Sequence, residues 1–272
     1  MLAVFSKKLT IYLLKTLIMV NSNLKEQYTS SRDLVYSVIV PAYNEEDFLP
    51  VTLSSLHTAM DSIPYKGEII VVDNNSTDNT MHVAKKYGAR VVFEPFRQIA
   101  RARNSGAKSA KSDFLIFLDA DTILPPQLLQ RALSILKKGK YCGGGTLISY
   151  DSQLPYLAAN LVRFWNWLSK TAKLAAGSFI FCLSSGFHDI GGFDENIYAG
   201  EEVTFSRKIK AWGKKNNLLF TIIDDLTVIT SGRKFYWYSS IQIALLLILF
   251  TAFPFALRNR FLCNFWYKRP IP

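Results

Sequence analysis

Four short apolar runs, Tyr36–Val40, Glu68–Val72, Arg90–Phe93 and Phe114–Leu118, recur along the chain with helix-like stretches between them. Runs rich in Val, Ile, Leu and Phe without polar alternation suit strands covered on both faces. Leu49, Leu53, Leu56 and Met60 recur at helical spacing, with Pro50 at a first-turn position, so a helix follows the first run. The cluster Asp73–Asp78 supplies turn and capping residues before a second helix reaching about Tyr87, and Ile99–Ala110 reads as a third. This alternation predicts an α/β domain with a parallel, doubly wound sheet. Ligands of such sheets lie beyond the carboxyl ends of the strands, an edge that would gather Tyr43, Asp73 and Asp119.

The run Phe114–Leu118 stops at two carboxylates, Asp119 and Asp121. Two converging acids repel each other unless a cation or a proton lies between them. Magnesium or manganese on one or two carboxylates, completed by water and substrate phosphate, is the usual arrangement for diphosphate chemistry. A bare Asp-x-Asp also reads as a strand-end turn whose acids cap the next element, so its neighbours must decide.

Further on, Leu128–Leu136 is amphipathic and Lys140–Ser149 reads as a strand with a glycine-rich lead. Gly143–Gly145 lack the rest of a phosphate-loop motif, which points to close backbone packing or a bend. Leu154–Ala176 places Tyr156, Phe164, Trp165 and Trp167 among Arg163, Lys170 and Lys173, a pattern that fits a membrane-surface face or a core helix. Glu201 and Glu202 open a helix that ends at Gly213; acids there complement the helix dipole, and a catalytic role competes with that reading.

Near the start, Leu9–Val20 is apolar but too short and too charged to span a bilayer, so it reads as an interfacial helix or an over-extended start. Near the end, Ser239–Leu257 carries no charge and is long enough to span. Trp237, Tyr238, Trp266 and Tyr267 flank it like an aromatic belt, while basic residues on both sides (Arg233, Lys234, Arg258, Arg260) and Pro254 also fit a re-entrant or interfacial segment. The organisation is an amphipathic extension and linker over 1–33, a folded domain over 34–234 and a membrane-associated segment over 235–272. A net charge of +11 favours a polyanionic partner, but the basic residues are scattered and no nucleic-acid-binding motif occurs, which excludes nucleic acid. Three dispersed cysteines and three dispersed histidines give neither a disulfide framework nor a zinc site.

Taken together and in order, VIVPAYNE (38–45), VVDNNSTD (71–78), ARNSG (102–106), FLDAD (117–121), IGGFD (190–194) and Glu201–Glu202 resemble the family 2 glycosyltransferases of the GT-A fold. The resemblance covers roughly residues 36–233 and implies a Rossmann-like mixed sheet flanked by helices. It implies that Pro41, Ala42, Tyr43 and Glu45 line a nucleotide pocket, with Asp73 on the base and Asn75 beside it. Arg101 or Arg103 would contact donor phosphate, Asp119 the donor's ribose or sugar, and Asp121 the metal, with Ala120 between the two acids and Asp119 as a second metal contact. Glu202, with Glu201 adjacent, would be the base in an inverting single displacement. The resemblance implies a UDP- or GDP-sugar donor and a divalent metal, while the hydrophobic tail and the basic, aromatic-rich segments point to a glycolipid, polyprenyl-phosphate-linked or polysaccharide acceptor. Membrane lipid would hold the protein at the cell membrane with the catalytic domain facing the cytoplasm.

Two departures stand out. Family members commonly have Glu-Asp where this chain has Glu201-Glu202, and a downstream metal-binding histidine is replaced by the run Thr230-Ser231-Gly232-Arg233, whose arginine would hold phosphate by charge. Two other readings stay open. LIFLDADTIL also resembles the first motif of haloacid-dehalogenase-type phosphatases, with Asp119 as nucleophile, Asp121 as acid–base group and Ile222–Asp225 as the last motif, although that leaves Val38–Asp78 unexplained. A membrane-tethered sugar-nucleotide-binding protein without turnover is the other.

Overall fold

The computed structural model describes residues 34–238 together with 242, 243, 245, 249, 253–263 and 267. Strand β1 (Tyr36–Ala42) is followed by α1 (Leu49–Asp61), β2 (Gly67–Asp73), α2 (Thr80–Lys86), β3 (Arg90–Phe93), α3 (Ile99–Ser109) and β4 (Phe114–Leu118). Alternate residues of the central strands feed opposite layers. Val38, Val40, Val71, Ile116 and Leu118 pack with Leu49, Leu53 and Leu56 of α1, whereas Ile39, Ile70, Val72, Leu115 and Phe117 pack with Ala100, Ala102 and Ala107 of α3. With both faces dry, these strands have no polar side, which is why they read as continuous apolar runs.

The chain continues through β5 (Thr122–Ile123), α4 (Pro126–Lys137), β6 (Tyr141–Tyr150), α5 (Tyr156–Ala172), β7 (Phe179–Leu183), α6 (Ser184–Asp189), α7 (Glu201–Lys215) and β8 (Leu219–Thr230). One sheet results, in the order β3-β2-β1-β4-β7-β6-β8-β5. It is mixed rather than wholly parallel: β1 runs with β2 and β4, but β7 opposes both β4 and β6, and β5 opposes β8. The strand–helix rhythm that implies a parallel sheet therefore holds only as far as β4.

Gly143–Gly145 lie inside β6, between β7 and β8. A Cβ on Gly144 would collide with the Thr221 carbonyl and stand 2.5 Å from the Phe181 ring, and one on Gly145 would stand 2.6 Å from the Ala175 methyl. These glycines serve close packing, not phosphate binding. Gly144→Ala is expected to lower the thermal midpoint by several degrees, since overpacking costs about 1–3 kcal/mol and each kcal/mol moves a domain of this size by ~2–4 °C. An unchanged melting curve would refute the packing account.

Helix α7 runs past Gly213 to Lys215, because Gly213 is needed for contact and not for termination: a Cβ there would meet the Cys142 Sγ at 2.6 Å. In α5 only Ala158 and Ser169 are buried, while Tyr156, Phe164 and Trp167 face solvent, so its aromatic residues do not form a core helix. All three cysteines are buried and free.

No helix among the described residues is long and apolar enough to cross a membrane. Much of 239–257 and all of 1–33 lie outside the described residues, so the expected spanning segment and the N-terminal interfacial helix gain no support. The end of the apolar stretch, Pro254–Arg258, is a short 3-10 helix, and the Leu257 carbonyl accepts the Tyr198 amide at 2.7 Å. Ala256 and Cys263 are buried against Ala199, with Tyr198, Leu257 and Tyr267 alongside. This part of the tail packs on the folded domain, against the loop that leads into α7.

Candidate active site

The carboxyl ends of β1, β2 and β4 converge as expected of an α/β sheet. Pro41 and Ala42 end β1, paired with Val72 and Asp73 of β2. Asn44 takes a left-handed φ of 53° and accepts the Thr77 amide at 2.8 Å, locking the β1 and β2 turns together. Asp73 is buried at the end of β2, and its carboxylate accepts the Ser76 amide at 3.4 Å. Asn75 is exposed, with φ 64°. The neighbouring Asn74 does more: its amide donates to the Glu94 and Phe96 carbonyls at 3.0 and 2.6 Å and its oxygen accepts the Gln98 amide, which fixes the loop carrying Arg97. The Arg97 guanidinium lies 3.7 Å over the Tyr43 ring. Asn74 lies within the VVDNNSTD run, but its bonds to the β3–α3 loop and the stacking of Arg97 on Tyr43 cross between elements and carry no sequence pattern.

Beyond β4, Ala120 is held by its carbonyl, which accepts the Thr52 hydroxyl at 2.8 Å. Asp119 is partly exposed, and its Oδ1 accepts Arg103 Nη2 at 3.0 Å. The same guanidinium donates through Nη1 to Glu201 Oε1 at 2.6 Å and through Nη2 to the Gly177 carbonyl at 3.1 Å. Arg103 and Glu201 are almost fully buried, with side-chain exposures of 3% and 5%. Arg101 is not at this site. Two residues apart on a helix place side chains on different faces, and Arg101 pairs with Glu195 at 2.8 Å and Glu94 at 3.5 Å instead. The expected arginine at the acids is therefore Arg103, spent on carboxylates rather than left open for phosphate.

Asn104 pins the IGGFD loop to α3. Its oxygen accepts the Phe193 amide and its nitrogen donates to the Phe193 carbonyl, both at 2.9 Å. A Cβ on Gly192, whose φ is 70°, would stand 2.6 Å from that oxygen, so only glycine fits. This clamp fixes the approach to Gly200, itself left-handed at φ 72°, which opens α7. Glu202 follows Glu201 in the first turn and has no ion-pair partner among the described residues. Burial raises the Glu202 carboxyl to about 8; Glu201 and Asp119 add repulsion, while Arg103 and its own backbone amide oppose it.

Asp121 sits where β5 joins the end of β8. Thr122 pairs with Thr230, and the Ser231 amide donates to the Asp121 carbonyl at 3.1 Å. This pairing delivers Arg233, whose guanidinium forks onto Glu45 at 2.6 and 2.9 Å and reaches Asp121 Oδ2 at 3.0 Å. Burial raises the Asp121 carboxyl to about 6; Arg233 and Lys234 pull it back, whereas Glu45 and Asp119 push it further. Tyr150 is raised by burial as well, with Asp121 and Asp119 adding to the shift. One guanidinium thus serves both Glu45 and Asp121, while the neighbouring Asp119 is held by Arg103. No group of three His, Cys, Asp or Glu among the described residues is placed to hold a metal. What remains, oxygen-only acids at the strand ends, fits a magnesium or manganese ion that takes one or two carboxylates and draws its other ligands from water and phosphate.

The last-motif acids of the phosphatase reading lie elsewhere. Asp224 and Asp225 stand exposed in the middle of β8, paired with Lys170 at 2.6 Å and Arg131 at 3.2 Å, while Asp119 is tied to Arg103.

Residues 37–187, more than half of the chain, match the model of "Glycosyl transferase family 2". An uncharacterized glycosyltransferase of Mycobacterium tuberculosis is 36% identical over 103 residues, 38% of this chain and 44% of that protein. The undecaprenyl-phosphate 4-deoxy-4-formamido-L-arabinose transferase of Pseudomonas fluorescens is 34% identical over 111 residues, 38% of this chain and 32% of that one. The chain thus spans less than half the length of the curated relatives it matches. Among solved structures, a mannosyltransferase from Pyrobaculum calidifontis in complex with GDP-Man and Mn2+ superposes with a TM-score of 0.58 at 19% identity, over 87% of this chain and 71% of that one, a likeness of fold. On the strength of the family match, and with the GT-A-like mixed sheet in place beneath it, the chain belongs to glycosyl transferase family 2.

Proposed function

We propose that this chain transfers a sugar, with inversion, from a nucleotide-sugar donor to a hydroxyl of a lipid-linked or membrane-proximal acceptor. The observation that carries the reading is the Arg103 bridge, which holds the donor-side Asp119 and the start of α7 in one buried network with Glu202 beside it. Pro41, Ala42, Tyr43 and Asp73 frame the nucleotide, and Asn75 stands at its rim. Arg97 and Arg233, rather than Arg101, are the guanidinium groups on the pocket side. Asp119 orients the donor sugar. Glu202 takes the proton of the acceptor hydroxyl as its oxygen bonds to the anomeric carbon, and the bond from that carbon to the diphosphate breaks on the opposite face. A divalent cation held by Asp121 and Asp119 would neutralise charge on the departing nucleoside diphosphate.

A panel of UDP- and GDP-sugars with Mg2+ or Mn2+ tests the donor assignment. A donor present at about 100 times its Kd stabilises the fold by ~2.7 kcal/mol, or roughly 5–10 °C at ~2–4 °C per kcal/mol. If no sugar nucleotide shifts the melt and none is turned over, the transferase reading fails.

The undecaprenyl-phosphate relative supports a polyprenyl-linked acceptor, and the proposed setting is the cytoplasmic face of the cell membrane. The solvent-facing Tyr156, Phe164 and Trp167 of α5, with Arg163 and Lys173 nearby, supply an interfacial surface for that setting. The double variant Phe164→Ser/Trp167→Ser is expected to cut co-sedimentation with anionic vesicles at least about fivefold, since each buried aromatic contributes on the order of 1 kcal/mol or more at such a surface. Undiminished sedimentation would move the membrane contact away from α5.

A further inference from the structure

Arg233 is held more firmly than a surface arginine. Its guanidinium lies 4.2 Å over the Phe48 ring and 5.5 Å from the Trp237 ring, and forks onto Glu45. The turn that carries it is tied down as well: the Gly232 amide donates to Asp151 at 2.9 Å, and a Cβ on Gly232 would stand 2.5 Å from the Ser152 hydroxyl. Its Nη2 lies 3.0 Å from Asp121 Oδ2 and is also held by Glu45 Oε1, while Nη1 donates to Glu45 Oε2 at 2.9 Å. Asp121 can therefore be released while both bonds to Glu45 stay in place.

We propose that Arg233 is a tethered cation that neutralises Asp121 in the donor-free protein, and that a divalent cation loads onto Asp121 only by displacing it. This rests on the metal reading given above. The guanidinium stands 3.0 Å from an oxygen of the carboxylate that would hold the metal ion, and two positive centres on one carboxylate repel each other. Glu45 is the tether: it keeps the displaced arginine within reach, with an N–H freed for diphosphate. Cation and nucleotide then bind together, because the diphosphate offers Arg233 the acceptor that the metal removes. A lysine at 233 would not serve, since an ammonium ion lacks the planar fork that spans Glu45 and Asp121.

The test is Mn2+ binding by the full chain without nucleotide, followed by electron paramagnetic resonance of the free ion, with thermal melts to confirm folding. Arg233→Gln is expected to bind Mn2+ at least about tenfold more tightly than the wild type, and UDP or GDP is expected to enhance that binding far less than in the wild type. Arg233→Lys should fall between them, and adding Asp121→Asn to Arg233→Gln should erase the gain. Equal or weaker Mn2+ binding by folded Arg233→Gln and Arg233→Lys, with nucleotide-dependent binding intact in the wild type, overturns the competition and leaves the metal reading standing. If neither wild type nor variants bind Mn2+ even with UDP or GDP, the metal reading fails and the proposal falls with it.

Discussion

Glu202→Gln is expected to lower kcat by about 10²–10⁴-fold, the range for loss of a general base, while donor affinity stays within about twofold. The amide keeps the shape of the side chain at the start of α7 but cannot take the acceptor proton. Glu201 cannot substitute for it, because its carboxylate is buried and bonded to Arg103 at 2.6 Å. The wild-type pH profile should carry the same signature. The reactive form is the carboxylate, so with Glu202 raised to about 8 the rate rises with pH and levels off above that value. The carboxylate is therefore the minor form at neutral pH, and the rate falls as the pH drops further. Burial contributes most to this shift; Glu201 on the same helix and Asp119 beyond β4 add to it, and Arg103 from α3 opposes it. Wild-type turnover in Glu202→Gln, or a flat profile between about pH 6 and 9, would remove Glu202 as the base.

Arg103→Leu is expected to cost about 3–5 kcal/mol, because it strands the buried Glu201 carboxylate and the partly exposed Asp119 without their partner. For a domain of this size that is a fall of roughly 6–20 °C in the thermal midpoint, with loss of transfer. Arg103→Lys should recover only part of the stability, since one ammonium group cannot reach Glu201, Asp119 and the Gly177 carbonyl together. Arg103→Leu/Glu201→Leu discriminates further: with both charges removed, stability returns toward wild type while activity stays low. If the single variant melts like the wild type, the bridge is not what organises the site.

Much of this was legible because local signals and global fold agree. The central strands β1, β2 and β4 are apolar on both faces, so their runs announce themselves, and each leads straight into polar turns that face the ligand edge. Strands β7 and β8 gave no such signal. Phe179–Leu183 runs straight into the short helix α6 with no turn between them, and the twelve-residue β8 is interrupted by the exposed Asp224 and Asp225. The motif residues were visible as types, but their partners were not. That Arg103 rather than Arg101 meets Asp119 depends on which side of α3 faces the sheet edge, and helical phase alone does not say. Arg233 was noticed only as the replacement for a histidine. Its bond to Asp121 follows from a two-residue strand that carries no sequence pattern.

That two-residue strand also orders the chain's history during synthesis. The nucleotide edge, β1 to β4, closes among residues 36–118 and can form as soon as that segment has emerged. The hydroxyl contact between Thr122 and Thr230 bridges 108 residues, so Asp121 gains its neighbour Arg233 only after nearly the whole folded domain has left the ribosome. A nascent chain stalled before that point has the site's acids without the arginine that balances them. Premature termination upstream of residue 233 would therefore leave Asp121 and Glu45 without their shared guanidinium.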